Sequence, residues 1–300
     1  MTYIVAFRTH YWDQHVERLA RRLESNCAHA KFVILYDETH GKAPKLDFEL
    51  VLHTDDTSPF QIADIPRGNS LWYNADYALY FLHHAFPDYE HYVISEYDVA
   101  INAPIDPILQ DIHKLGIDLV CHNVWPAGPA WSWYENGLKN FAKPWQCFLP
   151  FMITSKRALL TLLAKRQQIS LTEKAQDRAL WPFCETFVPS TLYEAGLNLE
   201  CLSRWVKTDH FRFRPFINVD DQVAYEPGSM AHPVRGGDNF ISGVIHSNPG
   251  RDYFSPGSVL HSALSKDPLS AFAHHLRHRL EVEKDEVGLA LLEKALHHQG

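Results

Sequence analysis

The sequence predicts an α/β fold, a mostly parallel central sheet with helices on both faces, followed by a helical C-terminal tail. Two patterns predict the sheet and its cover. Short β-rich runs alternate along the chain with segments whose apolar residues recur every three or four positions. Several of the β-rich runs are apolar throughout, as strands covered on both faces are.

Taken in order, Tyr3 to Phe7 reads as the first strand, and Trp12 to Leu23 as an amphipathic helix with Val16, Leu19, Ala20 and Leu23 on one face. The runs "KFVILYDE" and "FELVLHTDD" read as strands that finish on acidic residues. From Asn69 to Phe86 the spacing predicts one helix, with Leu71, Ala75, Ala78, Leu79 and Leu82 inward and Pro87 as its stop. "HYVISEYDV" follows as a strand, "DPILQDIHKLG" as a helix and "IDLVCHNV" as another strand. An irregular, tryptophan-rich piece spans Val124 to Phe148. "PFMITSKRALLTLLAKRQ" then reads as a strand feeding a helix, and "ETFVPSTLYEAGLN" as a shorter helix ending at Gly196. The stretch from Phe211 to Tyr253 is loop-rich, with "FISGVIHS" read as a strand. From Asp267 the chain is helical, with a break expected at Gly288. The expected division is a main domain over residues 1–262 and a tail over 263–300.

Composition narrows the function classes. Of 300 residues, 46% are hydrophobic and 21% charged, which is ordinary for a globular chain. The formal charge is −8 and no lysine- and arginine-rich run is present, which argues against a nucleic acid partner. Five cysteines, at 27, 121, 147, 184 and 201, are odd in number and lack C-x-x-C spacing. That pattern fits reduced thiols in a cytoplasmic protein better than disulfides or a zinc site. The first residues lack the features of a signal peptide, and no apolar run nears the roughly 20 residues needed to span a bilayer.

The strongest chemical signal is "VISEYDVAI". In a strand, Glu96 and Asp98 would share a face, with Tyr97 on the other. Ligands of open α/β sheets bind beyond the carboxyl ends of the strands, where this pair is expected. Two bare carboxylates there need water or a cation. Acid-x-acid spacing recurs at Asp47/Glu49, Asp88/Glu90, Glu281/Glu283 and Glu283/Asp285, but only Glu96/Asp98 closes a strongly apolar strand.

On these residues the chain resembles the GT-A glycosyltransferases, whose D-x-D motif holds a divalent metal against the diphosphate of a nucleotide sugar. The likeness runs over about residues 1–260, through "YIVAFRTHY", "FVILYDE", "NADYALYFL", "VISEYDVAI", "DLVCHN" and "PFMITSKRALLTLL". Glu96 stands where such motifs often begin with aspartate, and no lysine or arginine lies between Asn69 and Phe86. The resemblance implies Mn2+ or Mg2+ as cofactor, with Glu96 and Asp98 at the metal and a late histidine as third ligand. His232 and His246 are the candidates, and His246 is preferred because the expected strand before it would deliver it to a loop. It implies donor contacts from Arg8, Thr9, Asp37, Glu96 and Arg235, with Arg251 as a further source of positive charge. Asp37 read alone would be a turn residue.

In an inverting reaction a general base is required, and Glu185, interrupting the aromatic stretch "WPFCETFVPS", is the candidate. Asp177, Glu194, Asp220 and Asp221 compete with it. Trp131 and Trp133 are the expected sugar platform for a carbohydrate-containing acceptor, although aromatics also anchor long loops.

Two other readings share parts of this pattern. A sugar-phosphate nucleotidyltransferase would carry a glycine-rich phosphate loop after the first strand, and this chain has no glycine before Gly41. A carbohydrate-binding or scaffold protein with a degenerate site is the alternative function. In the tail, Leu289, Leu292 and Leu296 share a face that would pack on its own domain, a membrane surface or a second subunit.

Overall fold

The computed structural model describes residues 2–63 and 70–299. Strand β1 (Tyr3–Thr9) leads through helix α1 (Gln14–Ser25) to β2 (Lys31–Asp37) and β3 (Leu50–His53). Asp13 caps α1 by accepting from the backbone N–H groups of His15 and Val16, and Val16, Leu19, Ala20 and Leu23 are its buried face. Helices α2 (Ser70–Tyr73) and α3 (Tyr77–Ala85) precede β4 (His91–Glu96) and the two-residue β5 (Ala100–Ile101). Next come α4 (Ile105–Leu115), β6 (Leu119–Pro126), α5 (Tyr134–Leu138), β7 (Trp145–Ser155), α6 (Lys156–Ser170), α7 (Cys184–Glu194) and β8 (Leu199–Cys201). Gly116 ends α4 with a left-handed φ of 63°, which glycine adopts without Cβ strain.

Seven strands form the central sheet in the order β3-β2-β1-β4-β7-β6-β8, all parallel except β7. The fold class expected from the alternating pattern is therefore the one the chain adopts. Neighbours along each strand serve opposite cores. Ile4, Ala6, Val33, Leu35, Tyr92 and Ile94 enter the cluster under α3, α6 and α7. Tyr3, Val5, Phe7, Ile34, Tyr36 and Val93 enter the one under α1 and α4. That two-sided burial is why these strands read as continuous apolar runs.

Beyond β8 the region expected to be loop-rich carries more structure. Strands β9 (Lys207–Phe211), β10 (Ile217–Asn218), β11 (Ser229–His232) and β12 (Val234–Arg235) are followed by α8 (Gly237–Ser247) and α9 (Val259–Leu264). The expected strand "FISGVIHS" is thus a helix: Phe240 and Val244, four residues apart, are buried on one face. β5, β11 and β9 pair in a small second sheet, and β10 pairs with β12. The tail is α10 (Leu269–Glu283) and α11 (Glu286–Gln299). The break lies at Lys284, with φ 55°, and not at Gly288. Gly288 sits inside α11 because a Cβ there would meet Leu280 at 2.4 Å. Helices α8 to α11 share an apolar cluster running from Phe240 to Leu292. Leu292 is buried, with Leu289 and Leu296 packed beside it. Among the described residues no helix is long and apolar enough to cross a membrane.

The helix expected over 69–86 also differs, with Asn69 outside the described residues. It is interrupted at Asn74–Asp76, where two i+3 backbone bonds, Tyr77 N–H to Asn74 and Ala78 N–H to Ala75, tighten the chain. The interruption turns polar side chains inward. Asp76 accepts from Arg166 Nε at 2.9 Å and Nη2 at 2.8 Å and from the Tyr80 hydroxyl at 2.8 Å. Asn74 accepts from Trp181 Nε1 at 2.9 Å. Arg166 and Asp76 are both fully buried, with the guanidinium 3.7 Å over the Phe187 ring.

Candidate functional site

The parallel strands β1, β2, β3 and β4 end together, with Thr9, Asp37, His53 and Glu96 along one edge of the sheet. Arg8 lies directly across from Glu96 in the β1/β4 register. Its Nη1 is 3.5 Å from Glu96 Oε1, and its Nη2 donates to the Leu71 carbonyl at 2.8 Å. The strand stops at Glu96, so Asp98 stands in the following turn, closed by Val99 N–H to the Glu96 carbonyl at 3.2 Å. The two carboxylates converge because of that turn and not by strand alternation.

β11 and β12 complete the site from 130 residues downstream. Val234 N–H donates to the Asp98 carbonyl at 2.7 Å, which seats the segment against the turn. His232 then lies with Nε2 3.3 Å from Asp98 Oδ1, while Arg235 donates to Asp98 Oδ2 from Nε at 3.1 Å and Nη2 at 2.9 Å. Donor atoms of Glu96, Asp98 and His232 all lie within 4.8 Å of one another. His232 Nδ1 is 2.9 Å from the Arg212 carbonyl, a contact that places the proton on Nδ1 and leaves Nε2 toward the carboxylates. Asp98 Oδ1 is buried and, at this 3.3 Å approach, makes no directed hydrogen bond. An acceptor of that kind, beside a second carboxylate and an imidazole lone pair, fits a divalent cation.

The electrostatics separate the two acids. Burial disfavours the Asp98 anion, but His232 and Arg235 outweigh it and bring the carboxyl down to about 2. Glu96 moves up: the protein around it desolvates it although its rim keeps 27% exposure, Arg8 opposes this, and the Asp98 charge adds to it. For His232, burial works against the charged ring, yet the pull of Asp98 and Glu96 raises its pKa above the ordinary value.

Glu185 stands in the first turn of α7, within electrostatic reach of Glu96. Crowding by protein raises its carboxyl to about 8, a backbone hydrogen bond at Leu149 opposing and the Glu96 charge assisting. A carboxyl raised into that range can exchange a proton near neutral pH. Of its rivals, Asp177 accepts from Ala179 N–H at 2.8 Å and Asp220 pairs with Arg18 at 2.7 Å on the surface.

Other expected residues fall elsewhere or take different surroundings. His246 is on α8, its Nδ1 2.7 Å from the Ser242 carbonyl, and it is not in the carboxylate cluster; the late histidine brought there is His232. Arg251 pairs with Asp285 of the tail, Nε to Oδ2 2.6 Å. Asp37 closes its own turn, accepting from Thr39 N–H at 2.9 Å, and Thr9 Oγ1 donates to the Tyr11 carbonyl at 2.5 Å. Trp133 is not an exposed platform. It stacks on Phe183 with centroids 4.0 Å apart and contacts Tyr73, and Trp131 is half-buried. An exposed indole in this region is Trp72, 53% accessible, 6.5 Å from Trp133 and 5.4 Å from Phe183. Trp72 lies in the segment whose spacing predicts one helix and is not among the residues that spacing singles out. Three residues before Ala75 and seven before Leu79, it sits at the edge of the expected apolar stripe, so periodicity alone does not mark it as exposed. Around Asp98, Tyr97 makes edge contacts with His10 and Tyr11, and the Arg235 guanidinium lies 4.6 Å from the Phe216 ring.

Fold and site together define an α/β chain with an acid–acid–imidazole cluster at the carboxyl edge of a parallel sheet. Solved structures with a partial likeness include mouse xyloside xylosyltransferase 1, at 12% identity and TM-score 0.43 over 77% of this chain and 96% of that one. Another is a glycosyltransferase involved in glycosylation of the major capsid of PBCV-1, at 12% identity and TM-score 0.40 over 77% and 92%. A third is a CMP:2-keto-3-deoxy-manno-octonic acid synthetase complexed with CTP, at 10% identity and TM-score 0.37 over 67% and 89%. No protein-family model and no curated protein matches the sequence. Likenesses this distant leave the chain's activity to be read from its own residues.

Proposed function

We propose that the chain is a glycosyltransferase moving a sugar from a nucleotide-diphosphate sugar, a UDP-sugar by preference, to a carbohydrate-containing acceptor. Glu96, Asp98 and His232 would hold the divalent ion. The observation that carries this reading is their convergence within 4.8 Å, with Asp98 Oδ1 buried and lacking a hydrogen bond. One imidazole beside two carboxylates favours Mn2+ over the harder Mg2+. Such an ion supplies positive charge against a departing diphosphate.

The chain's own groups do the remaining work. Arg235 and Arg8, which pair with Asp98 and Glu96 here, would turn toward phosphate oxygens. Glu185, once deprotonated, accepts the proton of the acceptor hydroxyl. Trp72, backed by Trp133 and Phe183, offers a face to the acceptor sugar.

One observation favours the alternative, a carbohydrate-binding or scaffold protein with a degenerate site: both carboxylates already have arginine partners. Calorimetric titration of UDP with and without MnCl2 tests the choice. The proposed activity requires Mn2+-dependent binding that weakens at least tenfold in Asp98→Asn, with metal-dependent hydrolysis of a nucleotide sugar. Binding that ignores Mn2+, or none, would leave the scaffold reading.

A further inference from the structure

A second set of metal-competent donors lies outside the sheet edge. Asp238 is in the first turn of α8, and His274 and His275 are on α10; their donor atoms all come within 4.8 Å of one another. We propose that these three residues bind Zn2+, or another transition metal of similar preference, and thereby clamp the tail helix α10 to the start of α8.

The donor spacing is built into the fold. Phe240 and Val244 of α8 and Phe272 and Leu276 of α10 are buried in one apolar cluster, so the two backbones are fixed relative to each other. Asp238 Oδ1 is 2.7 Å from His275 Nε2, which by itself would be an ordinary surface pair. His274 is what that account leaves out. Adjacent helical residues diverge by about 100°, yet its ring lies 3.9 Å from that of His275, centroid to centroid, and its donor atom faces the same point.

Two imidazoles and one carboxylate are a zinc-type set, whereas Mg2+ and Ca2+ demand oxygen. The Asp238 side chain is 70% exposed, so an ion can enter from solvent and keep water in its remaining position. Because Asp238 follows Arg235 by three residues, the clamp would also tether the segment that delivers Arg235 and His232 to Asp98.

The test uses the full chain after chelator treatment and desalting. Calorimetric titration with ZnCl2 and visible absorption with CoCl2 count the sites, since the Glu96 cluster as proposed would also take these ions. Asp238→Asn and His275→Ala should each lose one metal equivalent or weaken it at least tenfold, and abolish the Zn2+-induced rise in Tm. Asp98→Asn should spare that equivalent, and His278→Ala, on the exposed side of α10, should change nothing. Asp238→Asn keeps the side chain's shape, so its result stands even if a histidine variant unfolds. Unchanged stoichiometry and affinity in Asp238→Asn, or an equal loss in His278→Ala, would overturn the proposal.

Discussion

Replacing Glu185 by glutamine probes the proposed base and its surroundings together. In the folded chain its carboxyl sits at about 8; in an unfolded chain it would titrate at about 4.3. Between those values the folded state keeps a proton that the unfolded state has released. Stability therefore falls as pH rises, by about 1.4 kcal/mol per pH unit for this one group, and levels off above pH 8. An interval of roughly 3.7 units bounds the total at about 5 kcal/mol. Glutamine has the shape of the protonated acid and cannot ionise. Glu185→Gln should therefore match the parent near pH 4.5 and exceed it by about 3–5 kcal/mol at pH 9. Urea unfolding at several pH values, read by midpoint at constant m, measures this. Activity should move the opposite way. The parent's kcat/KM rises from pH 6 toward a plateau above pH 8 as the base loses its proton, and the variant loses about 10²- to 10⁴-fold. A pH-independent offset between the two unfolding curves would refute the desolvated carboxyl, and a kcat within tenfold of the parent would refute the base.

Two further outcomes follow from the scaffold under the site. Arg166→Met strands the buried Asp76 charge and should cost about 3–5 kcal/mol in urea unfolding. Asp76→Asn/Arg166→Met should cost less, and a loss below 1 kcal/mol in the single variant would contradict the buried pair. Gly137→Ala places a Cβ 2.7 Å from Pro144 Cβ and 2.8 Å from Thr186 Oγ1. Because the proline ring cannot yield, overpacking should lower stability by about 1–3 kcal/mol, seen as a drop in Tm.

Much of the sheet was legible because its signals are local. A strand covered on both faces must be apolar throughout, as β1, β2 and β4 are, and an amphipathic helix such as α1 must repeat its apolar residues at three and four. Glu96 and Asp98 stood out for the same reason, as charges closing such a run. The "FISGVIHS" segment was misread because short apolar runs satisfy both periods. Its Phe240–Val244 and Ile241–Ile245 spacings, behind a glycine pair and Asp238, were the available helix signal.

What the sequence alone determined is therefore the alternation of elements, the fold class and the position of the acid pair, each set by neighbours a few residues apart. The tertiary structure decided which distant groups meet that pair. His232 and not His246 reaches Asp98, because β11 pairs with β5 just past the turn. Trp72 and not Trp133 is left exposed, because Phe183 covers the latter. Asn74 and Asp76 break a helix that periodicity alone would have continued. Contacts across more than 100 residues depend on packing, which no local pattern encodes.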